Sequence, residues 1–321
     1  MEHLTIQQLV ELGKLFTVFI SYFQIIFILT NLSVNVGCVP KKLMVFAGRY
    51  PFEVAEAAGY GWKGATAGTF DWDTFMEAKN TEITRLNNIY DGMLGNAGVD
   101  VIEGYGKFLS KNEVEVSMAD GTKKVLTAKN VLVAVGGWPF LPKIPGIEHT
   151  ITSNEIFYLE KQPKRIVIVG GGFIALEFAT IMDGLGSDVT LMYRGDLFLR
   201  GFDNDMREHL KEEMLTNSDI DIQFNTDPSE IIKNDDGSFT ITTADGKTVE
   251  CDAVMYATGR NAKTEKLGLE SAGVETVKGG FISVDEYSKS NVDNIYAVGD
   301  VTDRIALTPV ALMEGKNYIP S

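Results

Sequence analysis

The chain carries few of the features that would commit it to an extracellular life or to a polyanionic partner. Its 321 residues include two cysteines, Cys38 and Cys251. That is too few for a disulfide framework and suits a reducing compartment. Basic residues are also short: 29 Lys and Arg against 44 Asp and Glu leave a net charge of −15. A balance of that sign argues against nucleic acid and against anionic membranes, either of which calls for a basic patch. No internal repeat, low-complexity tract or metal-ligand cluster stands out. Long apolar runs are missing too. The longest, residues 15–29 (LFTVFISYFQIIFIL), is interrupted by Thr17, Ser21 and Gln24 and falls short of the roughly 20 residues that span a bilayer. Its upstream flank holds Glu2, Glu11 and only Lys14, not the basic start of a signal peptide. Three readings of residues 1–31 remain: a membrane or signal anchor, a helix that is buried or covered by a partner, or a segment foreign to the fold. Membrane contact through 15–29 is possible on the first reading but not favoured.

What is present is organised around residues 165–200. The run RIVIV at 165–169 reads as a buried strand. Gly170-Gly171-Gly172 follows, then a helical pattern closed by Gly186, then a second β-type run at 188–193. Gly170, Gly172 and Ala175 fill the G-x-G-x-x-G/A pattern in strand–turn–helix context. The first glycine permits the tight turn, the second a close approach of pyrophosphate, and Ala175 close packing of helix on strand. An NAD site would place an acidic residue at the end of the second strand. Arg194 and Arg200 stand there instead and suit the 2′-phosphate of NADP. NADP should therefore be preferred over NAD.

With 321 residues about two domains are expected. Cys38 lies in a Gly37-Cys38-Val39-Pro40 turn leading into a helical pattern, beside Lys41 and Lys42. A helix N-terminus and adjacent cations lower a thiol's pKa and favour a reactive thiolate. Residues 71–96 read as a long helix with Asp71 as N-cap and Gly98 just past its end. Strands are expected around 99–103, 113–117 and 124–126, with an Asp120-Gly121 hairpin signal. Residues 130–135 (NVLVAV) read as a further buried strand, and a β-meander follows between 220 and 249. Glu177 sits among apolar neighbours and should be buried with a cationic partner.

The stretch SVNVGCVPKK at 33–42 resembles the redox-disulfide motif C-V-N-V-G-C-V-P-K-K of the pyridine nucleotide–disulfide oxidoreductases, in particular the glutathione reductase branch. The likeness runs over residues 33–316 and departs at its start, where Ser33 stands in place of the first cysteine. The resemblance implies an α/β fold, a Rossmann-type NADP-binding domain inserted into an incomplete FAD-binding domain, with β-meander additions. It implies these bounds: 1–31 atypical, 32–157 first part of the FAD domain, 158–284 NADP domain, and 285–321 return segment. No G-x-G-x-x-G unit precedes Ser33, and the family's dimer-interface domain is not found after the return segment.

By the same resemblance Cys38 is the thiol facing the flavin, and Lys41 pairs with Glu177 beside it. Gly136, Asp300 and Thr308 join Lys41 at FAD. Phe173, Gly259 and Arg260 join Gly170, Gly172, Ala175, Glu177, Arg194 and Arg200 at NADP. Phe173 replaces a tyrosine that gates the nicotinamide pocket in many relatives. Tyr90 and Lys316 fall where the family meets its substrate, glutathione disulfide. The activity implied is that of a glutathione-disulfide reductase-like FAD/NADPH flavoprotein, impaired or inactive as written. Two alternatives stay open: a non-enzymatic NADP-binding fragment or gene-model artefact, and a single-cysteine flavoprotein disulfide reductase. A cytoplasmic location is expected, with an organelle stroma or matrix as the alternative.

Overall fold

The structure, a computed structural model, describes residues 16–21, 24–28 and 32–317. The N-terminal elements are β1 (Phe16–Ser21), β2 (Gln24–Ile28), α1 (Leu32–Asn35), α2 (Cys38–Ala57) and α3 (Trp72–Asn96). Next come β3 (Asp100–Ser110), β4 (Glu113–Ser117), β5 (Lys123–Thr127), β6 (Asn130–Ala134) and β7 (Gly137–Pro139). The middle of the chain forms β8 (Arg165–Val169), α4 (Phe173–Gly184), β9 (Asp188–Tyr193), α5 (Asn204–Asn217) and β10 (Asp221–Phe224). It continues with β11 (Pro228–Lys233), β12 (Phe239–Thr243), β13 (Thr248–Cys251) and β14 (Ala253–Tyr256). The last elements are β15 (Arg260–Ala262), α6 (Leu269–Ala272), β16 (Ile295–Ala297) and α7 (Thr308–Asn317).

These elements fall into two compact units. The first holds the described residues as far as Asn35, Thr84–Trp138, and 260–317; the second holds Val36–Ile83 and Pro139–Gly259. The changes at 138/139 and 259/260 differ from the boundaries read from sequence at 157/158 and 284/285, and residues 36–83 group with the middle of the chain. The reason is packing: Met44, Trp72 and Met76 share one core with Ile156, Ile166 and Leu176.

The first unit is a seven-stranded sheet in the order β16-β6-β2-β1-β3-β4-β5. β16, β6 and β2 run parallel, and the remaining neighbours are antiparallel. Alternate residues of β4, Val114 and Val116, are fully buried, as a half-covered strand requires. They pack with Phe108, Val131, Val133, Leu267 and Ile282. The apolar run at 15–29 is corrected here. Its described residues are two strands of this sheet, neither a helix nor a segment foreign to the fold, with Val18 opposite Phe27 and Ile26 beside Leu132. A run rich in Ile, Val and Phe meets the β preference better than the helical one, and its backbone groups are satisfied by β3 and β6. Among the described residues no helix is long and apolar enough to cross a membrane.

The second unit is a parallel sheet, β10-β9-β8-β14, carrying the antiparallel sheet β11-β12-β13. Successive residues of β8 face opposite cores. Ile166 and Ile168 pack with Leu176, Ala179 and Met182 of α4. Val167 and Val169 pack with Ile231, Ile241 and Cys251 of the meander. Burial on both faces explains the continuous apolar runs of β8 and β14. Helix α2 lies on α4 at close quarters. A Cβ added to Gly184 would stand 2.2 Å from the Gly48 carbonyl oxygen, and one added to Gly48 3.1 Å from that of Ile181. Only glycine allows backbones to approach so nearly.

Candidate functional site

In the second unit the glycine turn is fixed by its surroundings. Gly170 sits at φ +147°, and a Cβ there would lie 2.4 Å from the Ala257 carbonyl oxygen. Ala175 is fully buried against the turn, 3.2 Å from that same position. Gly172 enters α4 in extended conformation, no side chain caps the helix, and the space beside Gly172 is open. Uncapped N–H groups facing open space suit a diphosphate. Phe173 is 56% exposed at the head of the helix. Arg194 and Arg200 are exposed past β9, and among the described residues neither is in an ion pair. Gly259 belongs to this unit, at φ +134°, its carbonyl accepting from the Phe140 N–H at 2.9 Å.

The same unit carries the thiol. Cys38 is the first residue of α2, exposed, behind Gly37 as N-cap. One turn on, Lys41 Nζ donates to Glu177 Oε1 at 2.8 Å. The meeting of these two side chains, 136 positions apart, is found, but the burial expected of Glu177 is not. The Lys41 and Glu177 side chains are 24% and 36% exposed. The apolar neighbours in sequence occupy the core side of α4, and Glu177 leaves along its flank. Cys251 is 1% exposed at the end of β13. Burial pushes its thiol up to about 11.

The first unit gathers a second group. The Gly136-Gly137 turn follows β6, and Arg260 Nη2 donates to the Gly137 carbonyl at 2.9 Å. Asp300 lies against Gly137, its Cβ 3.7 Å from where a Gly137 Cβ would be. Burial raises the Asp300 carboxyl, while the Arg260 guanidinium draws it down and Glu314 raises it further. Arg260, expected among the NADP residues, is thus held with residues expected at FAD. Ser33 Oγ and Thr308 Oγ1 are 2.8 Å apart. Tyr90 is 41% exposed on α3, and Lys316 is exposed in the last turn of α7. The sequence reading missed the clamp behind Asp300. Glu314 Oε2 accepts from the Gly299 N–H at 2.8 Å, and Oε1 from Arg304 Nη1 at 3.1 Å. An acid and an arginine ten positions apart across a Pro-containing helix start leave no periodic signal.

A parallel sheet with a glycine turn at a helix head, and a thiol-bearing helix packed on that same helix, define the class of nucleotide-dependent oxidoreductases. Residues 16–315 match the family profile described as pyridine nucleotide-disulphide oxidoreductase. The chain belongs to that family, whose members depend on FAD and a pyridine nucleotide. It is 46% identical over 295 residues to trypanothione reductase of Trypanosoma congolense, covering 89% of this chain and 60% of that protein. It is 46% identical over 281 residues to the chloroplastic/mitochondrial glutathione reductase of Pisum sativum, covering 87% of this chain and 50% of that protein. A solved structure, the Cu(II) complex of the HOCl-induced flavoprotein disulfide reductase RclA from Escherichia coli, superposes with a TM-score of 0.78 at 25% identity. That likeness covers 89% of this chain and 60% of RclA. The chain therefore spans half to three-fifths of the length of these relatives.

Proposed function

We propose that the chain is a glutathione-disulfide reductase-like flavoprotein that binds FAD and NADPH, with disulfide chemistry confined to Cys38. The observation that carries this reading is the Lys41–Glu177 pair, which joins the helix headed by Cys38 to the helix that begins at the glycine turn. When bound, FAD would relay two electrons from NADPH to a disulfide. The roles of the chain's own residues follow from their chemistry. Gly170 makes the tight turn, Gly172 leaves room for the diphosphate, Ala175 keeps α4 close to the sheet, and Arg194 and Arg200 offer guanidinium forks to a 2′-phosphate. Phe173 and Gly259 would border the nicotinamide. Asp300 would accept from a ribitol hydroxyl, with Gly136, Thr308 and Arg260 on the flavin side. Tyr90 and Lys316 are the candidates for glutathione contact, Lys316 supplying charge without a bidentate fork.

Two side chains limit the last step. Disulfide exchange needs a thiolate to attack sulfur and a second thiol to resolve the mixed disulfide. Ser33 offers an alcohol, which is essentially never ionised at neutral pH. Cys251, buried and with its thiol pushed up to about 11, does not replace it. The wild type should bind flavin yet oxidise NADPH with glutathione disulfide no faster than background. The measurement is a visible absorption spectrum of the purified protein, followed by NADPH oxidation with added FAD for the wild type and Cys38→Ser. A colourless protein that takes up no FAD removes the flavoprotein reading. Turnover that Cys38→Ser abolishes replaces the impaired reading with a single-cysteine route.

A further inference from the structure

Three consecutive carbonyls between β9 and α5 are met by side chains of one helix. Arg207, in the first turn of α5, donates from Nε to the Phe198 carbonyl at 2.6 Å and from Nη2 to that of Leu197 at 3.0 Å. Its Nη1 meets Asn204 Oδ1 at 2.7 Å. Lys211 Nζ reaches the Asp196 carbonyl at 3.3 Å. The next residue, Leu199, stands at φ +52°, a conformation that a side chain of this kind keeps only where its surroundings impose it. Its N–H donates to the Gly171 carbonyl at 2.8 Å.

Aromatic packing closes the arrangement from the other side. A Cβ on Gly171 would come within 2.4 Å of the Tyr193 ring, and one on Gly195 within 2.8 Å. The Tyr193 ring lies 6.0 Å from that of Phe198, which is fully buried and 4.8 Å from Phe224. Residues 194–200 are thus fastened to the glycine turn at one edge and to α5 at the other. Arg194 and Arg200 stay exposed.

We propose that Arg207 is a positioning residue for 2′-phosphate recognition. Through the Leu197 and Phe198 carbonyls it holds the loop bearing Arg194 and Arg200 in register with the glycine turn. The inference rests on the NADP reading of those two arginines. A guanidinium fork across two successive carbonyls fixes both peptide planes, which a single-point donor does not. Without it the loop must be ordered when the nucleotide binds, and that entropy is taken from affinity. A nucleotide lacking the 2′-phosphate gains nothing from the two arginines, so its affinity is insensitive to their placement. Asp203 caps α5 through the N–H groups of Asp205 and Met206, so the helix start does not depend on Arg207.

Calorimetric titration of NADP⁺ and NAD⁺ into the full chain tests this, using the wild type, Arg207→Met and Arg207→Lys, each with its thermal midpoint. The wild type should favour NADP⁺. Arg207→Met should weaken NADP⁺ about tenfold, the scale of one charge-assisted hydrogen bond, and leave NAD⁺ within about twofold. Arg207→Lys should recover part of the loss. Equal weakening of both nucleotides, or unchanged NADP⁺ affinity in a folded Arg207→Met, would overturn the positioning role. A wild type with no preference overturns the NADP reading itself, and the inference with it.

Discussion

Each unit has a turn where a buried strand ends in adjacent glycines, and the two turns are glycine for different reasons. At 170–171 the residues are hemmed in. Gly170 has the backbone of Ala257 where its side chain would be, and Gly171 has the ring of Tyr193. At 136–137 the first glycine faces open space at φ +68°, and the second meets its nearest neighbour, the Asn261 carbonyl oxygen, at 3.3 Å. The second unit's turn is dictated by what crosses it, whereas Gly136 answers only to its own dihedral. A glycine pattern on the page therefore says that the chain bends; the neighbours say how much that bend depends on glycine.

The sharpest way to break this contrast is a pair of substitutions. Gly170→Ala should cost about 3 kcal/mol or more, combining a forbidden dihedral with a clash against backbone. Gly136→Ala should cost about 1 kcal/mol, the left-handed penalty alone. Chemical denaturation of the full chain for both variants measures the difference, and equal costs would dissolve the distinction.

The units also hold desolvated titratable groups of opposite sign, Lys79 buried and Asp300 partly buried, and pH separates them. Lys79 in the second unit is 3% exposed, donating to the Phe157 carbonyl at 2.7 Å and to Asn80 Oδ1 at 2.8 Å. Burial lowers its ammonium from the usual 10.5 to about 8. The folded state then holds fewer protons than the unfolded one between those values, so stability rises with pH across that window. The gain should be roughly 2–3 kcal/mol and should be missing from Lys79→Met, whose unfolding free energy is to be compared with the wild type from pH 7.5 to 10.

Asp300 in the first unit runs the other way. Its folded pKa is raised, so stability is lost as pH climbs above the ordinary carboxylate value of 3.8. Asp300→Asn should remove that fall, the smaller of the two effects, measured from pH 4 to 7.

Much of this was legible in the order of residues. Asp71 caps α3, with the Thr74 N–H donating to its Oδ1 at 2.7 Å, and Gly98 follows in left-handed conformation. The strand–glycine–helix–strand unit formed where its period said it would, because local pattern and buried sheet agree. The apolar stretch at 15–29 did not declare itself, since a short run of Ile and Phe suits a strand or a helix until pairing decides. Lys41 and Glu177 were matched across 136 positions by family resemblance rather than by any local rule. Arg207 and Glu314 were out of reach: each acts on main-chain groups, and a carbonyl waiting for a donor leaves no mark in the sequence.

The contact between Gly48 and Gly184 sets the phase of the thiol. Two backbones that touch cannot slide or roll past one another, so the crossing acts as the origin from which positions along α2 are counted. Cys38 lies ten residues from it, about 15 Å along an unbroken helix. At 3.6 residues per turn, one residue gained or lost in that span would swing the sulfur by about 100°. Where the thiol faces is therefore settled by arithmetic at a distance, by the number of residues between a glycine and a cysteine.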